Sequence, residues 1–222
     1  EKLLARQLDK FLKGYGIGAK KRKEAFDAAV KAQNEYVEAM SEKAKQILAE
    51  SRRQHKLTIL LAGRPYHTDP LIQHKLSDMI ASLGVNVISD DIVRNDTRTG
   101  TGDTYLVRQW AYMNRIIKSG QWCATQPDDV HFIQMTSFGC GPDSFIQDEI
   151  RHIMSVHGKP YTLLKIDDVS NVGSLRLRVR SLIESLNGKT GKGKRPGLGT
   201  GDKRAKEAAS VRPQNKKILA PY

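Results

Sequence analysis

The chain has 222 residues, of which 37 are Lys or Arg and 24 are Asp or Glu, a formal net charge of +13, and 39% are hydrophobic, enough for one full core or two small ones. No apolar run approaches the roughly 18 residues of a membrane-spanning helix and no signal-type segment opens the chain; two cysteines, Cys123 and Cys140, exclude a disulfide framework and predict a reducing, cytoplasmic setting. The charge is uneven, with 14 basic and 8 acidic residues over 1–56, 13 and 14 over 57–186, and 10 and 2 over 187–222, and a neutral middle speaks against a nucleic-acid partner, whose binding domain concentrates positive charge on its folded face.

The chain opens at Glu1 rather than Met and closes on a polar tail, and reads as a piece of a longer protein. Leu4, Leu8, Phe11 and Leu12 predict a short amphipathic helix, closed by Gly14, Gly16 and Gly18. From Glu24 to about Glu50, Phe26, Val30, Tyr36, Val37, Met40, Ala44, Ile47 and Leu48 keep a helical period. This long helix packs either on the domain that follows or on a neighbour outside the chain, and residues 1–56 form an N-terminal helical segment.

Strand and helix signals then alternate. LTILLA at 57–62 predicts a first strand, followed by Asp69 and Pro70 as an N-cap and first-turn pair and a helix with Leu71, Ile72, Leu76, Met79, Ile80 and Leu83 on one face, stopped by Gly84. VNVIS at 85–89 is a second strand, and a polar loop through Gly100 and Gly102 leads to a helix from about Asp103 to Lys118. HFIQMT at 131–136, a helix from Pro142 to His157, the strand YTLLKI at 161–166 and a last helix with Leu175, Val179, Leu182, Ile183 and Leu186, ending at Asn187 and Gly188, complete an α/β domain over 57–187. Four strands alternating with crossover helices predict a doubly wound parallel sheet, because such connections allow parallel neighbours and cover both faces. The tail, 188–222, with glycines among lysines, reads as a flexible basic linker, RNA binding being the alternative reading of its charge.

Ligands of such sheets gather beyond the carboxyl ends of the strands, and two loops there are chemically loaded. SFGCGPDSF at 137–145 sets Cys140 between two glycines and just before Pro142, a first-turn residue, so the sulfur sits near the positive end of a helix, with Asp143 in that first turn. A thiol so placed ionises more readily, and thiolate is the form that holds metal or attacks an electrophile; the alternative is a small buried cysteine in a tight turn. Cys123, after Trp122, reads as core. LAGRPYH at 61–67 brings Arg64, Tyr66 and His67 to the adjacent loop. Arg64 is a candidate grip for a carboxylate or phosphate with Tyr66 and His67 as donors or acids, or it pairs with Asp90 or Asp167 across the strand ends. Further on, Arg108, Tyr112 and Arg115 fall on one helical stripe and Leu106, Trp110, Met113 and Ile117 on another. Spacing excludes a dinucleotide fingerprint, a P-loop, a cysteine phosphatase loop (position 146 is Ile and the first following Arg is Arg151), a zinc ribbon and a dithiol redox pair; His152 and His157 are five apart and miss the spacing of a helical metal pair.

LAGRPYHTDP at 61–70, YLVRQWAYMNR at 105–115, SFGCGPDSF with the following DEI, and GKPYTLLKIDD at 158–168, in that order, resemble the large activase-like proteins of the 2-hydroxyglutaryl-CoA dehydratase and benzoyl-CoA reductase superfamily, which include activators of 2-hydroxyacyl-CoA dehydratase. The resemblance covers about 57–186. It implies a flavodoxin-like or Rossmann-like domain of an iron–sulfur protein taking part in low-potential electron transfer for dehydration or reduction of a CoA ester. It further implies a 4Fe–4S cluster in the complete protein with Cys140 as a ligand or neighbour, a site lined by Arg64, Tyr66, His67 and Asp143, and, as partners, the other domains of the parent, a dehydratase or reductase, and acyl-CoA. Two cysteines fall short of the cluster's donor set, so the remaining donors are expected outside this chain and the piece alone is expected to be cluster-free. A non-catalytic scaffold that binds at most an anion through Arg64 is the competing reading.

Overall fold

A computed structural model of the chain describes residues 2–96, 99–100, 110–137, 139–166 and 172–190. Two compact units are distinguished, Glu1–Glu184 and Ser185–Tyr222, the boundary falling inside the last helix. In the first unit, helix α1 (Lys2–Lys13) precedes α2 (Ala19–Arg53), which begins five residues earlier and ends three later than the hydrophobic period alone indicates. Polar residues carry it past its apolar stripe through i,i+4 pairs such as Lys20–Glu24 and Lys23–Asp27. The C-terminal half of α2 lies on the domain that follows. Ser41, Ala44, Leu48 and Ser51 are buried, Ser41 Oγ donates to the Ile92 carbonyl at 3.3 Å, and Ala44 and Leu48 belong to the same core as the sheet.

Four parallel strands follow, β1 (Thr58–Ala62), β2 (Asn86–Ser89), β3 (Val130–Thr136) and β4 (Tyr161–Lys165), in the spatial order β2-β1-β3-β4. The register runs from Thr58↔Asn86 on one side of β1 and from Thr58↔Val130 to Ala62↔Gln134 on the other, and β4 enters against β3 at Phe132↔Tyr161. Every residue of the two central strands is buried, which is why they read as near-continuous apolar runs. Leu60, Ala62, Val130 and Phe132 share one face with α2, α4 (Ala111–Ala124) and α5 (Gly141–Val156). Gly120 of α4 lets that helix approach α5, since a Cβ there meets Ile150 at 3.4 Å. The opposite face carries Ile59, Leu61, Ile133 and Met135, with α3 (Leu76–Ala81) beyond it. From β1 the chain steps outward to β2, then returns across β1 to β3 and on to β4; the order reverses between β1 and β3. A last helix, α6 (Val172–Thr190), buries Leu175, Val179 and Ile183 and runs past the stop expected at Asn187 and Gly188.

Three local expectations need correction. Asp69 does cap a turn, its Oδ1 accepting the amides of Leu71 and Ile72 at 2.8 and 3.1 Å, but Leu71 and Ile72 are exposed rather than core. His74 and Lys75 both adopt positive φ, 51° and 55°, a left-handed step that a helix does not continue through, so α3 starts only at Leu76. Trp110, expected on a buried stripe, precedes the first turn of α4 and is exposed, while Met113 and Ile117 are core; Leu106 and Arg108 lie outside the described residues. The helix expected to stop near Lys118 continues to Ala124, carrying Cys123 into the core.

Candidate functional site

The loops after β1 and β3, neighbouring central strands, meet at the carboxyl edge of the sheet where the strand order reverses, the position at which open α/β sheets hold ligands. After β1, Gly63 turns the chain into a single 3₁₀ turn, Pro65–Thr68, with Arg64 at its N-cap and Pro65 supplying the preset first-turn φ. The turn is braced from inside by His67, whose ring is fully buried. Its Nδ1 accepts the Arg64 amide at 3.1 Å, which leaves the proton on Nε2 to be donated to Ser137 Oγ at 2.7 Å. Burial pushes the His67 pKa down to about 4, Asp143 opposing and Arg64 reinforcing that shift, so the imidazole is a neutral strut between the two loops at physiological pH. Tyr66, beside it, is partly exposed and meets the His67 ring edge-on at 4.5 Å between centroids.

After β3, Cys140 is the N-cap of α5, and Gly141, Pro142 and Asp143 form the helix's first turn. The Asp143 side chain is 3% exposed. Its Oδ2 accepts Thr136 Oγ1 at 2.8 Å, and its Oδ1 accepts both Arg64 Nε at 3.1 Å and Arg64 Nη2 at 2.9 Å. The same Nη2 donates to Cys140 Sγ at 2.7 Å. Partial burial works against the Arg64 charge, but the hydrogen bond and charge of Asp143, together with Cys140 and Tyr66, hold its pKa above the ordinary arginine range. A carboxylate anchored from below by Thr136 thus fixes a guanidinium whose outer edge is turned onto a sulfur. Arg64 and Cys140 are partly exposed, so this edge faces the rim rather than the core.

Of the residues singled out in the sequence, Arg64, Cys140 and Asp143 form one bonded cluster, Tyr66 lies at its margin, and His67 lies behind it as support rather than as an exposed donor. Arg64 does not pair with Asp90. That carboxylate is taken by Arg115 of α4, whose Nε donates to Asp90 Oδ2 at 2.9 Å, with Asp91 3.6 Å from Arg115 Nη1 and bonded to Arg94 Nη1 at 3.2 Å. Asp167, the other partner considered, lies outside the described residues. The Asp90–Arg115 pair is nearly sealed, and burial raises the Asp90 pKa to about 6 despite Arg115. In the sequence, Arg115 is one cation on a helical stripe; nothing in its spacing indicates that α4 crosses the end of β2.

A 4Fe–4S cluster takes four cysteinyl donors, and the residues here do not supply them. Cys140 is a single thiol at the rim. Cys123 is 1% exposed in α4, its Sγ directed at the Val130 carbonyl at 3.8 Å, and burial pushes its pKa up to about 12. Among the described residues no group of three or more His, Cys, Asp or Glu side chains is placed to hold a metal ion, and no helix is long and apolar enough to cross a membrane. The flanking Gly139 and Gly141 leave open space, with nothing within 4 Å of where a Cβ would stand.

Residues 1–93 match the family model described as "CoA enzyme activase uncharacterised domain". The matched span carries α1, α2, β1, β2 and, at the rim, Arg64, Tyr66 and His67; Cys140 and Asp143 lie beyond it. No curated protein and no solved structure matches the chain.

Proposed function

We propose that this chain is a domain of a CoA enzyme activase that serves the activation of a CoA-dependent enzyme, with the Arg64–Cys140–Asp143 cluster as its working site. The observation that carries the reading is the placement of Arg64, a residue within the activase-matched span, at the switch point of the sheet with its guanidinium bridging Asp143 and the Cys140 sulfur. The finer reading is activation of a 2-hydroxyacyl-CoA dehydratase or a related reductase by low-potential electron transfer. It rests on the four segments that resemble that superfamily. In that reading Cys140 offers one thiolate and the other cluster donors come from outside this chain; Arg64 orients the sulfur, and Asp143 and Thr136 orient Arg64.

The test is anaerobic reconstitution of the complete activase with iron and sulfide, followed by absorption and electron paramagnetic resonance spectra and by activation of its CoA-dependent enzyme. Cys140→Ala is expected to weaken the cluster signal and activation together, with Cys123→Ala as the control. An unaltered cluster in Cys140→Ala removes Cys140 as a ligand, and unaltered activation removes the working site. The balance of charge between Arg64 and Asp143 favours a second reading, a non-catalytic scaffold, under which Cys140→Ala changes stability alone.

A further inference from the structure

We infer that the cleft between the C-terminal half of α2 and the end of α4 is a binding site for a small amphipathic organic anion, an apolar body that ends in a carboxylate or a phosphate. The inference stands apart from the rim cluster and from the activase reading. The cleft has a volume of about 470 Å³, within the range of small-molecule sites. Leu48 and Ala49 of α2, Ile92 from the turn after β2 and Trp122 of α4 supply its apolar lining, and Lys45 and Arg52 supply its cations.

The polar groups of the lining divide by what the protein leaves unengaged. Ser41 Oγ is taken by the Ile92 carbonyl, and Gln126 both accepts Arg52 Nη2 at 3.1 Å and donates to the Trp122 carbonyl at 3.3 Å. The acid of the lining, Asp96, accepts Thr99 Oγ1 at 2.7 Å, and its carbonyl takes Lys118. Beside the exposed Asn95 amide, three donors are left over. Trp122 is 9% exposed, yet its indole N–H meets no acceptor among the described residues and is not sealed from solvent; a buried indole N–H ordinarily has a partner. Arg52 gives Nε to Asp129 at 2.9 Å and Nη2 to Gln126, which leaves Nη1. Lys45 has only Glu42 as an ion-pair partner, at 3.8 Å and beyond hydrogen-bond reach.

These leftovers select the ligand. Three donors around one cavity, two of them on cationic side chains, call for an acceptor that carries negative charge. An inorganic anion alone would satisfy them but leave Leu48, Ile92 and Trp122 against water. A neutral apolar molecule would cover that wall and desolvate the indole N–H without pairing it, at the full cost of an unmade hydrogen bond. An organic acid or phosphate monoester with a compact hydrocarbon body meets both requirements at once.

The probes are 4-cyclohexylbutyrate, 4-cyclohexylbutyl phosphate and the neutral 4-cyclohexylbutan-1-ol, each titrated into the full chain by calorimetry. At least one of the two anions is expected to bind saturably, the tighter one identifying the headgroup, and the alcohol to bind about tenfold or more weakly. Lys45→Gln should weaken the anion about twofold to fivefold and leave the alcohol unchanged. Ala49→Trp should fill the cleft and abolish binding of all three. Both positions are exposed on α2, so these variants keep the fold, which circular dichroism checks. In a Trp110→Phe background Trp122 is the remaining tryptophan of the two, and its fluorescence should shift as the anion saturates. No saturable binding of either anion, an alcohol that binds as tightly, anion affinity unchanged by Lys45→Gln or by Ala49→Trp, or an unmoved Trp122 signal overturns the inference.

Discussion

Replacing Gly63 by Ala tests whether the rim is assembled as described. A Cβ at position 63 stands 2.6 Å from His67 Nδ1 and 3.2 Å from His67 Cβ and Cγ, closer than side chains pack. The ring has nowhere to retreat. It is fully buried and held at both nitrogens, by the Arg64 amide and by Ser137. Relief therefore breaks one or both of these hydrogen bonds or shifts the turn that carries Arg64. Overpacking of a filled site and the loss of one or two hydrogen bonds together cost about 2–4 kcal/mol. For a chain of this size that lowers the melting temperature by roughly 4–16 °C. Urea unfolding followed by Trp fluorescence measures it, with Gly139→Ala and Gly141→Ala as controls in the opposing loop, where nothing lies within 4 Å and the expected change is within about 0.5 kcal/mol. The contact is specific to one pair, so the Gly63→Ala/His67→Ala double variant loses less stability than the sum of the two single losses. A Gly63→Ala protein as stable as the parent, or losses that simply add, refutes the placement of the His67 ring against Gly63.

Acid should act through His67 with a defined sign. Its pKa is about 4 folded against 6.5 unfolded, so the unfolded chain binds the extra proton, and the contribution to stability, complete above about pH 6.5, is lost as pH falls toward 4. The stability of the parent relative to His67→Gln should shrink by up to about 3 kcal/mol across that window, and parallel pH profiles would count against it. Asp90 works in the opposite sense, its raised pKa of about 6 giving a contribution present at low pH and lost as pH rises through 6, so the two partly mask each other in the parent. Thiol labelling under native conditions should modify Cys140 alone, with Cys123 reacting only after unfolding; rapid native labelling of both would contradict the burial of Cys123. Arg115→Ala should cost about 3–5 kcal/mol by leaving Asp90 buried without its cation, and Asp90→Asn in that background should recover part of the loss in the same denaturation assay.

Much of the fold is legible in one dimension. The alternation of apolar runs with helical periods marks every strand within a residue or so, because a buried strand and an amphipathic helix are each recorded in their own spacing. The two chemically loaded loops are legible for the same reason. Arg64, Tyr66 and His67 follow one strand and Cys140 and Asp143 another, and strand ends in a parallel sheet share a rim. What spacing does not record is direction in space. Arg64 has Asp90, Asp143 and Asp167 at comparable strand ends, and only the order β2-β1-β3-β4, which seats β3 beside β1, brings Asp143 to it and leaves Asp90 to Arg115.

The same limit explains the individual misses. The left-handed backbone at His74 and Lys75 has no glycine to announce it, so the helix after Pro70 looks longer than it is. His67 reads as an exposed donor because a histidine beside an arginine and a tyrosine is equally suited to a site or to a core; its burial comes from the crossing of two loops 70 residues apart. For this protein, then, patterning by itself determined the element order, the parallel α/β class and the identity of the two rim loops, since these follow from local spacing and backbone sterics. The tertiary structure alone decided which carboxylate holds Arg64, that the guanidinium meets the Cys140 sulfur, and that the C-terminal half of α2 lies on the sheet's core, because each depends on which distant segments the strand order and helix packing place side by side.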